Sequence, residues 1–134
     1  MKRLVLDLRP DEYAVFRRPP SVGVPAELFE LTEPAFVSIS KTPEEISVVC
    51  PARHADTGPD TETGWRVFTV RGPLEFTLTG ILAALTGELA AAGVPLFTVS
   101  SFDTDHILVK ADDLDRATNA LREAGHEVHA DAAA

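Results

Sequence analysis

The chain has 134 residues, 45% hydrophobic and 25% charged, which is enough to bury a core in one compact unit or two small halves. Twenty-one acidic residues against twelve basic ones give a formal net charge of −9, and no Lys/Arg stripe offsets it, which argues against a nucleic-acid partner. A single cysteine, Cys50, excludes an intrachain disulfide and points to a reducing cytoplasm.

MKRLVLDLRP begins basic but has too few apolar residues before Asp7 for a signal peptide. RLVLDL (3–8), YAVFRR (13–18), FVSIS (36–40) and ISVVC (46–50) read as strands. PAELFEL (25–31) reads as a short helix with Pro25 in its first turn, and TPEE (42–45) as a turn between strands. Residues 51–64, PARHADTGPDTETG, carry almost nothing apolar and read as a linker. Two divisions follow: 1–64 as a reduced N-terminal half with its linker, and 65–134 as a complete C-terminal domain.

That second part is denser. WRVFTVRG (65–72) alternates like a half-buried strand, with Phe68 and Val70 on one face. A helix is predicted near 76–92, with Leu78, Ile81, Leu82, Leu85 and Leu89 on one stripe, Thr77 as N-cap and Gly93 just past its end. Gly80 and Gly87 inside it would each cost about 1 kcal/mol, which suggests close packing against a neighbour. The longest apolar run, Ile81 to Val94, is interrupted by Glu88 and too short to cross a bilayer, so no membrane partner is expected. LFTVSS (96–101) and HILVK (106–110) form a hairpin. A second helix runs about 113–124, capped by Asp112 or Asp113 and ended by Gly125, before a last strand, HEVH. The order is βαββαβ, an α+β, ferredoxin-like arrangement with two helices on one face of an antiparallel sheet.

Three passages carry a further likeness: RGPLEFTLTGIL, the hairpin SSFDTDHILV, and the turn TPEEIS. On these the chain resembles the ACT-domain group related to the CASTOR arginine sensors, with the likeness weakest over residues 1–34. The resemblance implies two ACT-like halves and a regulatory protein that binds a small molecule, an amino acid above all, at an ACT–ACT interface. That interface would be formed by intrachain pairing of the halves or in a homodimer.

An α-amino acid presents a carboxylate and an ammonium. Gly72, Pro73, Leu74, Glu75 and Phe76 lead into a predicted helix N-terminus, whose free N–H groups and positive dipole end suit the carboxylate. Asp105 matches the Thr-Asp of the family hairpin and would take the ammonium. Ser100, Ser101 and Thr104 would add neutral hydrogen bonds, and Phe102 would wall the pocket. A plainer reading stands beside this one: Asp103-Thr104-Asp105 is also ordinary turn chemistry.

Nothing in the sequence asks for a reaction or a cofactor. His126 and His129 lack the further ligands of a zinc site and read as an exposed terminal strand. His106, near Ser101 and Asp105, belongs to the same hairpin and does not form a nucleophile–base–orienter line. No nucleotide-binding glycine motif or nucleophile elbow is present. Cys50 reads as a small buried hydrophobe. The competing expectation is an ACT-fold interaction module without a ligand.

Overall fold

A computed structural model of the chain describes residues 3–72 and 80–130. In chain order the strands are β1 (Val5–Leu8), β2 (Tyr13–Arg18), β3 (Ser38–Lys41), β4 (Ile46–Pro51) and β5 (Thr61–Val70). Helix α1 (Ile81–Ala91) follows, then β6 (Leu96–Ser100), β7 (Asp105–Lys110), helix α2 (Leu114–Glu123) and β8 (Glu127–His129). Short 3-10 turns occupy Pro20–Val22, Ala26–Glu30, Ala52–His54 and Ala111–Asp113. No helix among the described residues is long and apolar enough to cross a membrane.

The chain divides into two compact units, one made of Met1–Pro10 with Arg66–Ala134 and the other of Asp11–Trp65. The sequence-based division at 64/65 lies one residue from the second break. The first ten residues, placed with the N-terminal half by their position in the chain, group with the C-terminal unit instead. The cause is strand pairing: β1 pairs antiparallel with β5, Leu6 opposite Val70, and parallel with β8, Leu6 opposite Val128.

In the larger unit the sheet runs β6-β7-β5-β1-β8. Alternation puts Leu6, Leu8, Phe68, Val70, Ile107 and Val109 into one core with Leu85 and Leu89 of α1 and Ala117 and Leu121 of α2. This is why both helices lie on one sheet face. Strand β5 departs from simple half-burial, since Val67 is fully buried as well as Phe68 and Val70. It also begins at Thr61, inside the stretch read as linker.

Helix α1 is shorter than its apolar stripe predicts. Gly80 is not inside the helix but at its N-cap position, at φ 79°, a left-handed conformation that favours glycine. The Thr77 cap and Leu78 lie outside the described residues. A Cβ added at Gly87 would meet nothing within 4 Å, so no neighbour in the described structure accounts for that glycine. Gly93, at φ 78°, ends the helix as expected. In α2 the Asp113 side chain makes no cap hydrogen bond and instead pairs with Arg116 at 3.3 Å. Asp112 lies in the 3-10 turn before the helix.

In the smaller unit the strands lie in the order β5-β2-β4-β3, all antiparallel, with β5 contributing its first residues. Phe16, Leu28, Ile46, Val48 and Cys50 form its core. The short helix read at 25–31 is a 3-10 turn over Ala26–Glu30. Thr42 builds the 42–45 turn, its hydroxyl accepting the N–H groups of Glu44 and Glu45 at 3.1 Å each. Arg18 clamps the 55–60 loop by a bidentate pair with Asp56, at 2.7 and 2.9 Å.

Candidate functional site

The polar hairpin and the end of β5 meet. Thr104, in the turn between β6 and β7, donates its hydroxyl to the carbonyl of Val70, the last residue of β5. Gly72 follows two residues later as an exposed bend. Pro73, Leu74, Glu75 and Phe76 lie outside the described residues. Arg71 is fixed to β1: its guanidinium donates to both Asp7 oxygens at 3.0 and 2.6 Å, and its N–H donates to the Val5 carbonyl at 2.7 Å. The Arg71 guanidinium holds the Asp7 carboxyl below its ordinary pKa.

Register assigns the hairpin residues to faces. Asp105 opens β7 opposite Ser100, and alternation puts both on the face that carries Ile107 and Val109 toward the helices. Ser100 donates its hydroxyl to Asp105 Oδ1 at 2.5 Å. The Asp105 carboxylate is partly exposed, and its Oδ2 has no hydrogen-bond partner among the described residues. Ser101 closes the turn with N–H to the Thr104 carbonyl at 2.8 Å and hydroxyl to the same oxygen at 3.2 Å. Phe102 is 78% exposed at the tip.

The opposite face holds a residue that sequence reading set aside. His106 is buried, with Nδ1 3.0 Å from Thr69 Oγ1 and Nε2 3.2 Å from Ser101 Oγ. Thr69 Oγ1 also accepts Arg9 Nε–H at 2.9 Å. Burial, reinforced by Arg9 and opposed by Asp105, lowers the His106 pKa to about 4, so its imidazole is neutral at neutral pH.

A second buried histidine is His126. Rather than lying on an exposed strand, it is buried, accepting the Leu4 N–H at Nδ1 (3.1 Å). Its proton is therefore on Nε2, which donates to Glu88 Oε1 at 3.0 Å. One imidazole thus ties the start of β1 to α1. No local pattern in the sequence names Glu88 as its partner. His129 is exposed and contacts Glu127 at 2.6 Å.

The smaller unit contains a groove of about 190 Å³ lined by Leu28, Phe29, Leu31, Ala35, Val37 and Glu33. Glu33 at its rim is held by His54 (2.7 Å) and Arg53, which lower its pKa to about 2. It is therefore a satisfied carboxylate. Cys50 is buried, and burial raises its thiol pKa to about 11, which leaves it unreactive at neutral pH. Among the described residues no group of three His, Cys, Asp or Glu is placed to hold a metal.

The helix-backed sheet places the chain in a class: it has the ACT fold, and the ACT-domain family model matches residues 60–123. Within that class it is related to the cytosolic arginine sensors. The mouse protein named "Cytosolic arginine sensor for mTORC1 subunit 1" is 34% identical over 72% of this chain, and the human one 37% identical over 43%. This chain spans only 28% and 18% of those two relatives. Among solved structures, protein Atu0741 of Agobacterium tumefaciens matches with TM-score 0.86 and 32% identity over 98% of this chain and 96% of that one. The regulatory subunit of aspartate kinase from Thermus thermophilus shares the fold, with TM-score 0.60 and 14% identity over 90% of this chain and 96% of that one.

Proposed function

We propose that the chain is a cytoplasmic, non-enzymatic regulatory module that senses an amino acid at an ACT–ACT interface. In this reading Asp11–Trp65 is a reduced ACT-like half. Its strands have the spatial order of a βαββαβ sheet, with 3-10 turns where helices would stand. The ligand carboxylate is received by backbone N–H groups around Gly72 to Phe76, and its ammonium by Asp105. The observation that carries this reading is the Thr104–Val70 bond, which brings Asp105 to the end of the strand that leads into Gly72. Asp105 keeps one carboxylate oxygen without a described partner, as a ligand-facing group needs. The names of the relatives make arginine the first compound to test. Assembly, either as a homodimer or by pairing of the two halves, would respond to ligand through the difference in affinity between states.

The test is a thermal-shift screen of the standard L-amino acids, arginine first. A true ligand at about a hundredfold its Kd adds roughly 2.7 kcal/mol of stability. Asp105→Ala should abolish that shift while leaving the unliganded melting temperature within about 2 °C, since only a partly exposed hydroxyl contact is lost. A screen in which no amino acid raises the melting temperature would remove the sensing reading.

A further inference from the structure

Behind the ligand-facing side of the hairpin lies a one-way chain of hydrogen bonds. Arg9 Nε–H donates to Thr69 Oγ1 at 2.9 Å, and a guanidinium can only donate. The Thr69 hydroxyl therefore still has its own proton to place. Among its described partners the one acceptor is His106 Nδ1, 3.0 Å away. At the far end Ser101 donates its hydroxyl to the Thr104 carbonyl at 3.2 Å, so the same oxygen is free to accept from His106 Nε2 at 3.2 Å.

With the imidazole proton on Nε2, Arg9 Nε–H, the Thr69 hydroxyl, His106 Nε2–H and the Ser101 hydroxyl each have an acceptor. With the proton on Nδ1, the Thr69 hydroxyl has no described acceptor, and Ser101 must give up one of its two contacts. The His106 ring is buried and Thr69 half-buried, and a polar hydrogen left without a partner between them is disfavoured, whereas the exposed Ser101 hydroxyl only exchanges one contact for another.

We infer that His106 is a positioning residue: a neutral Nε2–H imidazole that orients the Ser101 hydroxyl and thereby sets the turn that carries Asp105. The purpose of that turn rests on the amino-acid reading above, whereas its geometry does not. One consequence concerns ligand chemistry. Ser101 donates to Thr104, Thr104 to Val70 and Ser100 to Asp105, so each of these hydroxyl protons is used within the protein. The hairpin side chains then face a ligand with acceptors alone. That selects a donor-rich cationic group such as a primary ammonium and rejects a carboxylate or an N-acylated amine.

Nitrogen-15 NMR of the full chain labelled at histidine reads the tautomer directly. His106 should show the Nε2–H form throughout about pH 8 to 5.5. An Nδ1–H form, or rapid averaging of the two, overturns the assignment. A second arm follows hydrogen exchange at the Ser101 amide, which donates to Thr104 at 2.8 Å. In His106→Leu that amide should exchange at least about tenfold faster, measured relative to the amides of β5 in the same protein. His106→Gln, which keeps an acceptor and a donor, should return it to within about threefold of the parent. Parent-like protection in His106→Leu overturns the positioning role. The tautomer is read on the unaltered protein, so a poorly folding variant leaves the inference testable. Neither arm contains a ligand, so failure here is distinct from failure of the amino-acid screen.

Discussion

The two units use comparable strand patterns and reach different solutions for their cores. In the larger one, Phe68, Val70, Ile107 and Val109 are roofed by Leu85 and Leu89 of α1 and Leu121 of α2. In the smaller one, Leu28 of the Ala26–Glu30 turn packs with Phe16, Ile46 and Val48. Five residues of PAELFEL cannot form the several turns that let a helix cover a sheet face. The outcome is visible at the surface: Val22, Val24 and Phe29 are exposed, and a groove opens beside Leu28. The difference teaches that an antiparallel sheet can close a small core with a turn and a few side chains where no helix covers it.

The sharpest way to break this comparison is a pair of cavity mutations. Phe68→Ala, at a fully buried site beneath both helices, should cost about 4–5 kcal/mol in urea unfolding, near the top of the range for such changes. Phe16→Ala in the smaller unit should cost nearer about 3 kcal/mol, because turns collapse into a void more readily than helices do. Equal costs would mean that the two cores are equally rigid.

Acid should separate the units by pH window. His106 has its folded pKa lowered to about 4 from an ordinary 6.5, so between those values the unfolded chain binds more protons than the folded one. Stability is therefore fully present above about pH 6.5, falls as pH drops toward about 4, and levels off below, for a total of roughly 2–3 kcal/mol. His106→Gln should flatten that slope. Glu33 has its folded pKa lowered to about 2 from 4.5 by His54 and Arg53. Its contribution is present above about 4.5 and is lost as pH falls toward about 2. Urea midpoints collected from pH 8 to pH 2.5 distinguish the windows, and a His106→Gln profile identical to the parent would contradict the first.

A smaller effect is expected at Arg18, whose guanidinium is mostly buried while its partner Asp56 is partly exposed. Arg18→Met keeps most of the aliphatic volume and removes the bidentate pair and the bond to the Gly23 carbonyl (3.1 Å). It should lower stability by about 1–2 kcal/mol. Protease nicking in the 55–60 loop should rise with it.

Much of this was legible in short stretches. Alternation located β2 and β4 within a residue, glycine after an apolar stripe located the ends of α1 and α2, and the hairpin was placed between its two strands. Those features depend on neighbours in sequence, where side-chain period and glycine conformation act directly. Alternation also carries the orientation of Asp105 once β7 is extended by a residue to begin there, two positions before the buried Ile107.

Other features were decided only when distant segments met. RLVLDL reads as a strand in either half, and it belongs to the larger unit because β5 and β8 supply its hydrogen-bond partners some 60 and 120 residues away. TETG reads as linker because it is polar, yet pairing with β2 makes it strand. His126 looks like a surface histidine, and nothing marks His106 as buried, because a polar ring carries no periodic signal. Their burial and their tautomers depend on Leu4, Glu88, Thr69 and Ser101, four contacts contributed by other segments and turns. The sequence by itself determined where β2, β4 and α2 lie, since side-chain period and glycine stops act locally. Only the tertiary structure decided which strands share a sheet and which histidines are held within it, because backbone pairing and desolvation exist only between parts brought together by folding.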